Sequence, residues 1–148
     1  MSYRIENTLV INAPATTVWD NLTQPPLMTQ WMGGDDHQLR IKTNWQVKGP
    51  ITMTGFHHLP FENKGTVLQF DPGKILSYTQ LSSLSRLPDQ PGNYSVITFL
   101  LTPAKDQTSL TLTINNFPTE TIYRHLDFYW RATLVLLKKF IEEGATGI

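Results

Sequence analysis

LVINAPATTVWDNLTQPPLMTQW, residues 9–31, is the stretch from which the rest of the chain can be read. A strand predicted over Ile5–Asn12, with Ile5, Leu9 and Ile11 on one face, runs into Ala13-Pro14. Pro14 suits the first turn of a helix, where its missing N–H has no intrahelical partner anyway. Val18, Trp19 and Leu22 then fall at helical spacing. Pro25-Pro26 ends that helix and opens a second short one, Leu27 to Trp31. Met32-Gly33-Gly34-Asp35-Asp36 is a turn cluster.

Beyond it the period changes to two. Leu39, Ile41 and Thr43 alternate, then Ile51, Met53 and Gly55, then Thr66, Leu68 and Phe70. Asp71-Pro72-Gly73 makes a turn, with Pro setting φ and Gly tolerating a positive one. Leu76 and Tyr78 lie on the next strand. Ser82–Gly92, with Pro88 and Pro91, reads as a loop. Ile97, Phe99 and Leu101 mark one further strand, and Leu110, Leu112 and Ile114 another, in a Thr-dense context that favours half-buried strands.

The period changes again over about Thr119 to Glu143. Ile122, Leu126, Trp130, Leu134, Leu137 and Ile141 recur at steps of three and four, one stripe of a long helix. Thr119 is a fitting N-cap, Glu120 complements the helix dipole, Lys138 and Lys139 sit near the other end, and Gly144 suits the residue just past it. The expected fold class is α+β: a curved antiparallel sheet of about six to seven strands wrapped around the long C-terminal helix, with two short helices after strand 1. Residues 1–148 read as a single domain. Gly55, Gly65 and Thr98 allow the sheet to curve, and a sheet curved enough to grip a helix leaves room for a cavity wherever inward side chains are small.

Composition removes several function classes. The chain carries 12 basic and 12 acidic residues and no basic stripe, so nucleic acid is not an expected partner. It has no cysteine, which excludes disulfides, thiolate nucleophiles and zinc–thiolate sites. The N-terminus does not resemble a signal peptide and no apolar run is long enough to span a membrane, so a cytoplasmic location is expected.

No catalytic constellation emerges, and the enzyme question leans towards no. His57 and His58 are adjacent in or beside a strand, so their side chains point to opposite faces. His37 with Asp35 and Asp36 reads as a solvated turn, and no metal site or cofactor is expected. His125 follows Arg124 at the start of the final helix. Asp20 reads as a surface residue, and Ser82, Ser83 and Ser85 lack a nucleophile-elbow context. Phe56, Tyr78, Phe99, Tyr123, Leu126, Trp130 and Leu134 are the expected ligand-binding residues, drawn from strands and final helix. Tyr78 stands out because a buried hydroxyl needs a partner, which a ligand can supply. Trp19 and Trp31 are expected to pack the short helices.

Several segments together resemble the activator of heat-shock-protein-90 ATPase homologue-like family, a branch of the START/SRPBCC helix-grip superfamily. They are Ile11-Asn12-Ala13-Pro14-Ala15 with Val18-Trp19-Asp20, Leu22-Thr23, Pro25 and Trp31; Gly65-Thr66-Val67-Leu68 with Phe70-Asp71-Pro72 and Leu76; Thr98-Phe99 with Leu101-Thr102-Pro103; Thr108, Leu110-Thr111-Leu112-Thr113 and Phe117; and Trp130, Leu134 and Leu137. The resemblance implies the helix-grip fold and a pocket between sheet and final helix that takes apolar molecules in many relatives. It implies no reaction. Many relatives carry a Gly-Gly turn before the third strand, where this chain reads Val47-Lys48-Gly49-Pro50. The eukaryotic co-chaperone carries an additional N-terminal domain for which these residues leave no room. The function expected is binding of an apolar or amphipathic small molecule. The alternatives are a cyclase- or lyase-type enzyme using the same pocket, or a protein-interaction, co-chaperone-like module, including a homodimer.

Overall fold

A computed structural model of the chain describes residues 3–33, 38–57 and 59–146. β1 (Arg4–Ile11) leads into α1 (Ala15–Thr23) and α2 (Pro25–Met32). Strands β2 (Arg40–Thr43), β3 (Pro50–His57), β4 (Leu59–Asp71), β5 (Ile75–Ser82), β6 (Ser95–Ala104) and β7 (Gln107–Asn115) follow, and α3 (Glu120–Thr146) comes last. The strands form one antiparallel sheet in the order β1-β7-β6-β5-β4-β3-β2. This is the helix-grip arrangement that the order of periods predicts.

The helix ends have local causes. Pro14 stands at the N-cap of α1 with an extended ψ of 158°, not in the first turn. Gln24 ends α1 and begins α2, so α2 opens at Pro25, two residues before the expected Leu27. The Ile122 N–H donates to Thr119 Oγ1 at 3.2 Å, the expected cap of α3. The helix then runs past Gly144, which does not take the left-handed φ of a terminating glycine.

Two features of β4 escape a period-two reading. The strand begins at Leu59, and its register with β5 shifts between Val67 and Gln69. Val67 is therefore buried opposite Tyr78, Phe70 faces Leu76, and Leu68 is exposed, so Thr66, Leu68 and Phe70 do not share a face. The segment between β5 and β6 carries short 3-10 turns at Ser83–Ser85 and Pro91–Asn93 where a plain loop is expected.

The core lies between the inner face of the sheet and α3. Ile97, Phe99, Leu101, Leu110, Leu112 and Ile114 are buried on β6 and β7, facing Leu126, Trp130, Leu134, Leu137 and Ile141. Trp130 joins the layers: its ring meets Phe99 edge-on at 5.6 Å and Trp31 of α2 at 6.3 Å. The indole N–H of Trp31 donates to the Asn21 carbonyl at 2.9 Å, tying α2 back onto α1. Trp19 and Trp31 thus pack the short helices, as expected.

Candidate functional site

Polar and apolar residues of β3–β5 meet along one crevice. Ile51, Met53, Asn63, Lys64, Tyr78, Thr79 and Gln80 line a narrow crevice with no room for a water molecule. Tyr78 is 2% exposed. Burial, with the neighbouring Tyr129 phenol, pushes its pKa well above the usual tyrosine range, so it stays protonated. Asn63 Oδ1 is buried without a partner in the same crevice. Buried polar atoms normally find partners, so such orphans call for an explanation.

Trp45 packs beside Tyr78. It belongs to the turn between β2 and β3 and has φ +57°, a left-handed value rare for a bulky side chain. Its ring stacks on Phe70 at 5.6 Å and 22° and lies 6.4 Å from Tyr78. Its indole N–H donates to the Thr23 carbonyl at 2.6 Å. Trp19 meets Phe70 from the other side at 5.1 Å. Neither Trp45 nor Asn63 follows from hydrophobic periodicity, because one lies in a turn and the other is polar. The available signal is Thr43-Asn44 before Trp45 and Gly49-Pro50 after it, a turn setting for a residue usually found in cores.

The structure brings some of the seven expected residues together and separates others. Phe99, Leu126, Trp130 and Leu134 are buried in the packed core. Tyr78 lines the crevice. Tyr123 is half-buried at the start of α3, stacked on Tyr3 at 4.3 Å with Phe117 edge-on at 5.1 Å. Phe56 is 47% exposed, because it alternates with the inward Met53 and Gly55. It lines an open outer groove of about 540 Å³ with Arg40, Thr54, Pro60, Phe61 and Glu62.

Of the titratable residues, Lys64 and Tyr78 line the crevice. His125 and Glu62 are exposed. Among the described residues no group of His, Asp or Glu is placed to hold a metal ion. Asp35, Asp36, His37 and His58 lie outside the described residues. Lys64 Nζ sits 2.6 Å from Asp89, which also accepts from the Tyr94 hydroxyl at 2.6 Å. These bonds raise the Lys64 and Tyr94 pKa values and lower that of Asp89, pinning the 82–94 segment to β4 at the surface.

The outer face of α3 is unusually apolar. Phe128 is 78% exposed, Val135 64% and Leu136 53%, and they lie along one side of the helix with the exposed Ala132. Exposed apolar residues grouped on one side of a helix make this face a candidate contact surface.

The family described as Activator of Hsp90 ATPase homolog 1-like protein matches residues 12–142. The chain belongs to this family. It is 34% identical to ChR145 from Cytophaga hutchinsonii, whose solution structure superposes with a TM-score of 0.80 over 98% of this chain and 97% of that one. Protein CV1439 from Chromobacterium violaceum, 18% identical, gives a TM-score of 0.79 over 94% of this chain and 97% of that one. The Aha1 dimer from Colwellia psychrerythraea, 20% identical, gives 0.74 over 96% and 98%. No curated protein matches the chain. Among the described residues, no helix of this family member is long and apolar enough to cross a membrane.

Proposed function

We propose that this family member binds a small apolar or amphipathic molecule between the inner face of its sheet and α3, as a binding protein rather than an enzyme. The observation that carries the reading is the buried, unpartnered Asn63 Oδ1 in a crevice that Asn63 lines together with Ile51, Met53 and Tyr78. A group buried without a partner costs about 1–3 kcal/mol, and a ligand that bonds it recovers that free energy on binding. A cyclase or lyase needs titratable side chains facing the ligand; His125 and Glu62 face solvent instead. Native mass spectrometry of the purified protein, with a thermal-shift panel of fatty acids, sterols and aromatic polyketides, tests the reading. A co-purifying mass or a melting temperature that climbs with ligand concentration is the expected result. No mass and no shift across the panel overturns it.

A second reading rests on a separate observation, the exposed apolar stripe of α3. It suits association with a second copy of the chain; the similar structure from Colwellia is itself a dimer. Binding inside the grip and pairing through its outer face use opposite sides of one helix and do not compete.

A further inference from the structure

We infer that Trp45 is a built-in occupant of the ligand site, and that the ligand displacing it is a flat bicyclic aromatic carrying an N–H or O–H donor. The inference rests on the reading of the crevice as a binding site and adds what enters it and what must move.

The turn spends several bonds on holding Trp45 in an unfavourable backbone conformation. Thr43 Oγ1 accepts from the Trp45 N–H at 3.0 Å, and Asn44 Oδ1 accepts from the Gln46 N–H at 3.0 Å. The Gly49 N–H donates to the Gln46 carbonyl at 2.8 Å. Two bonds fasten the turn to β4, Lys48 N–H to the Val67 carbonyl at 2.7 Å and Val67 N–H to the Gly49 carbonyl at 2.9 Å. A left-handed φ persists in a bulky residue only where its surroundings impose it, and such positions cluster at ligand clamps and switches.

What the turn presents is an indole in the posture of a ligand. One face stacks on Phe70, and an edge meets Tyr78. The N–H donates to the carbonyl of Thr23, the last residue of α1, where the helix leaves carbonyls without intrahelical partners. A molecule that takes this seat must therefore be flat and bring a donor for the same oxygen. Tyr78, whose ring lies 6.4 Å from that of Trp45, lines a crevice with no room for water, together with Asn63, whose buried Oδ1 has no partner. Withdrawal of the indole joins its own volume to the crevice, which sets the ligand near two fused rings. A ligand that must first displace the indole binds with an affinity reduced by the fraction of molecules in which Trp45 has withdrawn.

The test uses 2-naphthol and naphthalene, which share a shape and differ in the donor, on the full chain with ¹⁵N-labelled tryptophan. The Trp45 indole resonance is assigned as the one missing from Trp45→Phe, which keeps a ring on the turn and loses the bond to Thr23. Saturable movement of that resonance with 2-naphthol is expected. Naphthalene should bind about tenfold more weakly, Tyr78→Phe should weaken 2-naphthol about tenfold, and Trp45→Ala should tighten it about tenfold. Should Trp45→Ala not fold, Trp45→Phe should still tighten binding several-fold. If 2-naphthol binds while the Trp45 resonance and the variant affinities stay unchanged, the displacement is overturned and the pocket reading stands. If neither probe binds wild type or the Trp45 variants, and the thermal-shift panel is also silent, both fall.

Discussion

Tyr78 is buried with its ring beside that of Trp45. Removing its hydroxyl while keeping the ring should change the stability of the unliganded protein by no more than about 1 kcal/mol, while ligand affinity falls. A second signature comes from pH. Burial raises the folded pKa of Tyr78 above its unfolded value of 10.0. Above pH 10 the unfolded chain releases a proton that the folded chain keeps, so stability present below pH 10 is lost as pH rises. Wild type should therefore lose about 1.4 kcal/mol more per pH unit above pH 10 than Tyr78→Phe. Urea midpoints for both proteins at pH 9 and pH 11 check this; parallel loss would show that Tyr78 is not buried as described.

At the scale of elements, β4 shows what the sequence makes legible and what it hides. The strands of β6 and β7 and the buried stripe of α3 are plain in the periods of Ile97–Leu101, Leu110–Ile114 and Ile122–Ile141, because each element repeats its pattern without a break. β4 hides its register shift, because a bulge adds one residue without changing composition, and Leu68 then looks inward by counting alone. The site is legible only in part for the same reason. Tyr78 is a polar-tipped aromatic in a clear strand, whereas Trp45 depends on turn geometry and Asn63 on the company it keeps. Gly65 has a role that its neighbours in sequence do not reveal. A Cβ there would lie 1.7 Å from the Thr79 carbonyl oxygen, so β4 and β5 approach too closely for any side chain. Gly65→Ala should cost at least about 3 kcal/mol or prevent folding, since backbone rather than a flexible side chain must shift. Gly92→Ala, with nothing within 4 Å of the added atom, is the control and should stay within about 1 kcal/mol of wild type in chemical denaturation.

At the scale of the whole molecule, α3 has two working faces. Leu126, Trp130, Leu134, Leu137 and Ile141 fill the grip. Thr121, His125, Phe128, Ala132, Val135 and Lys139 are exposed at steps of four and three, the seam spacing of paired helices. Two copies laid antiparallel with Ala132 against Val135 set Phe128 over the stem of the second copy's Lys139. A lone exposed apolar seam of this length on a monomer would be an aggregation hazard; a two-fold pairing buries it twice and closes. Light scattering should then give twice the 16.9 kDa chain mass at micromolar concentration. Phe128→Ser with Val135→Ser should give monomers with an unchanged circular dichroism spectrum, because both side chains lie outside the core. A wild-type monomer at hundreds of micromolar would remove the seam's role. A dimer indifferent to Phe128 and Val135 would move the interface elsewhere.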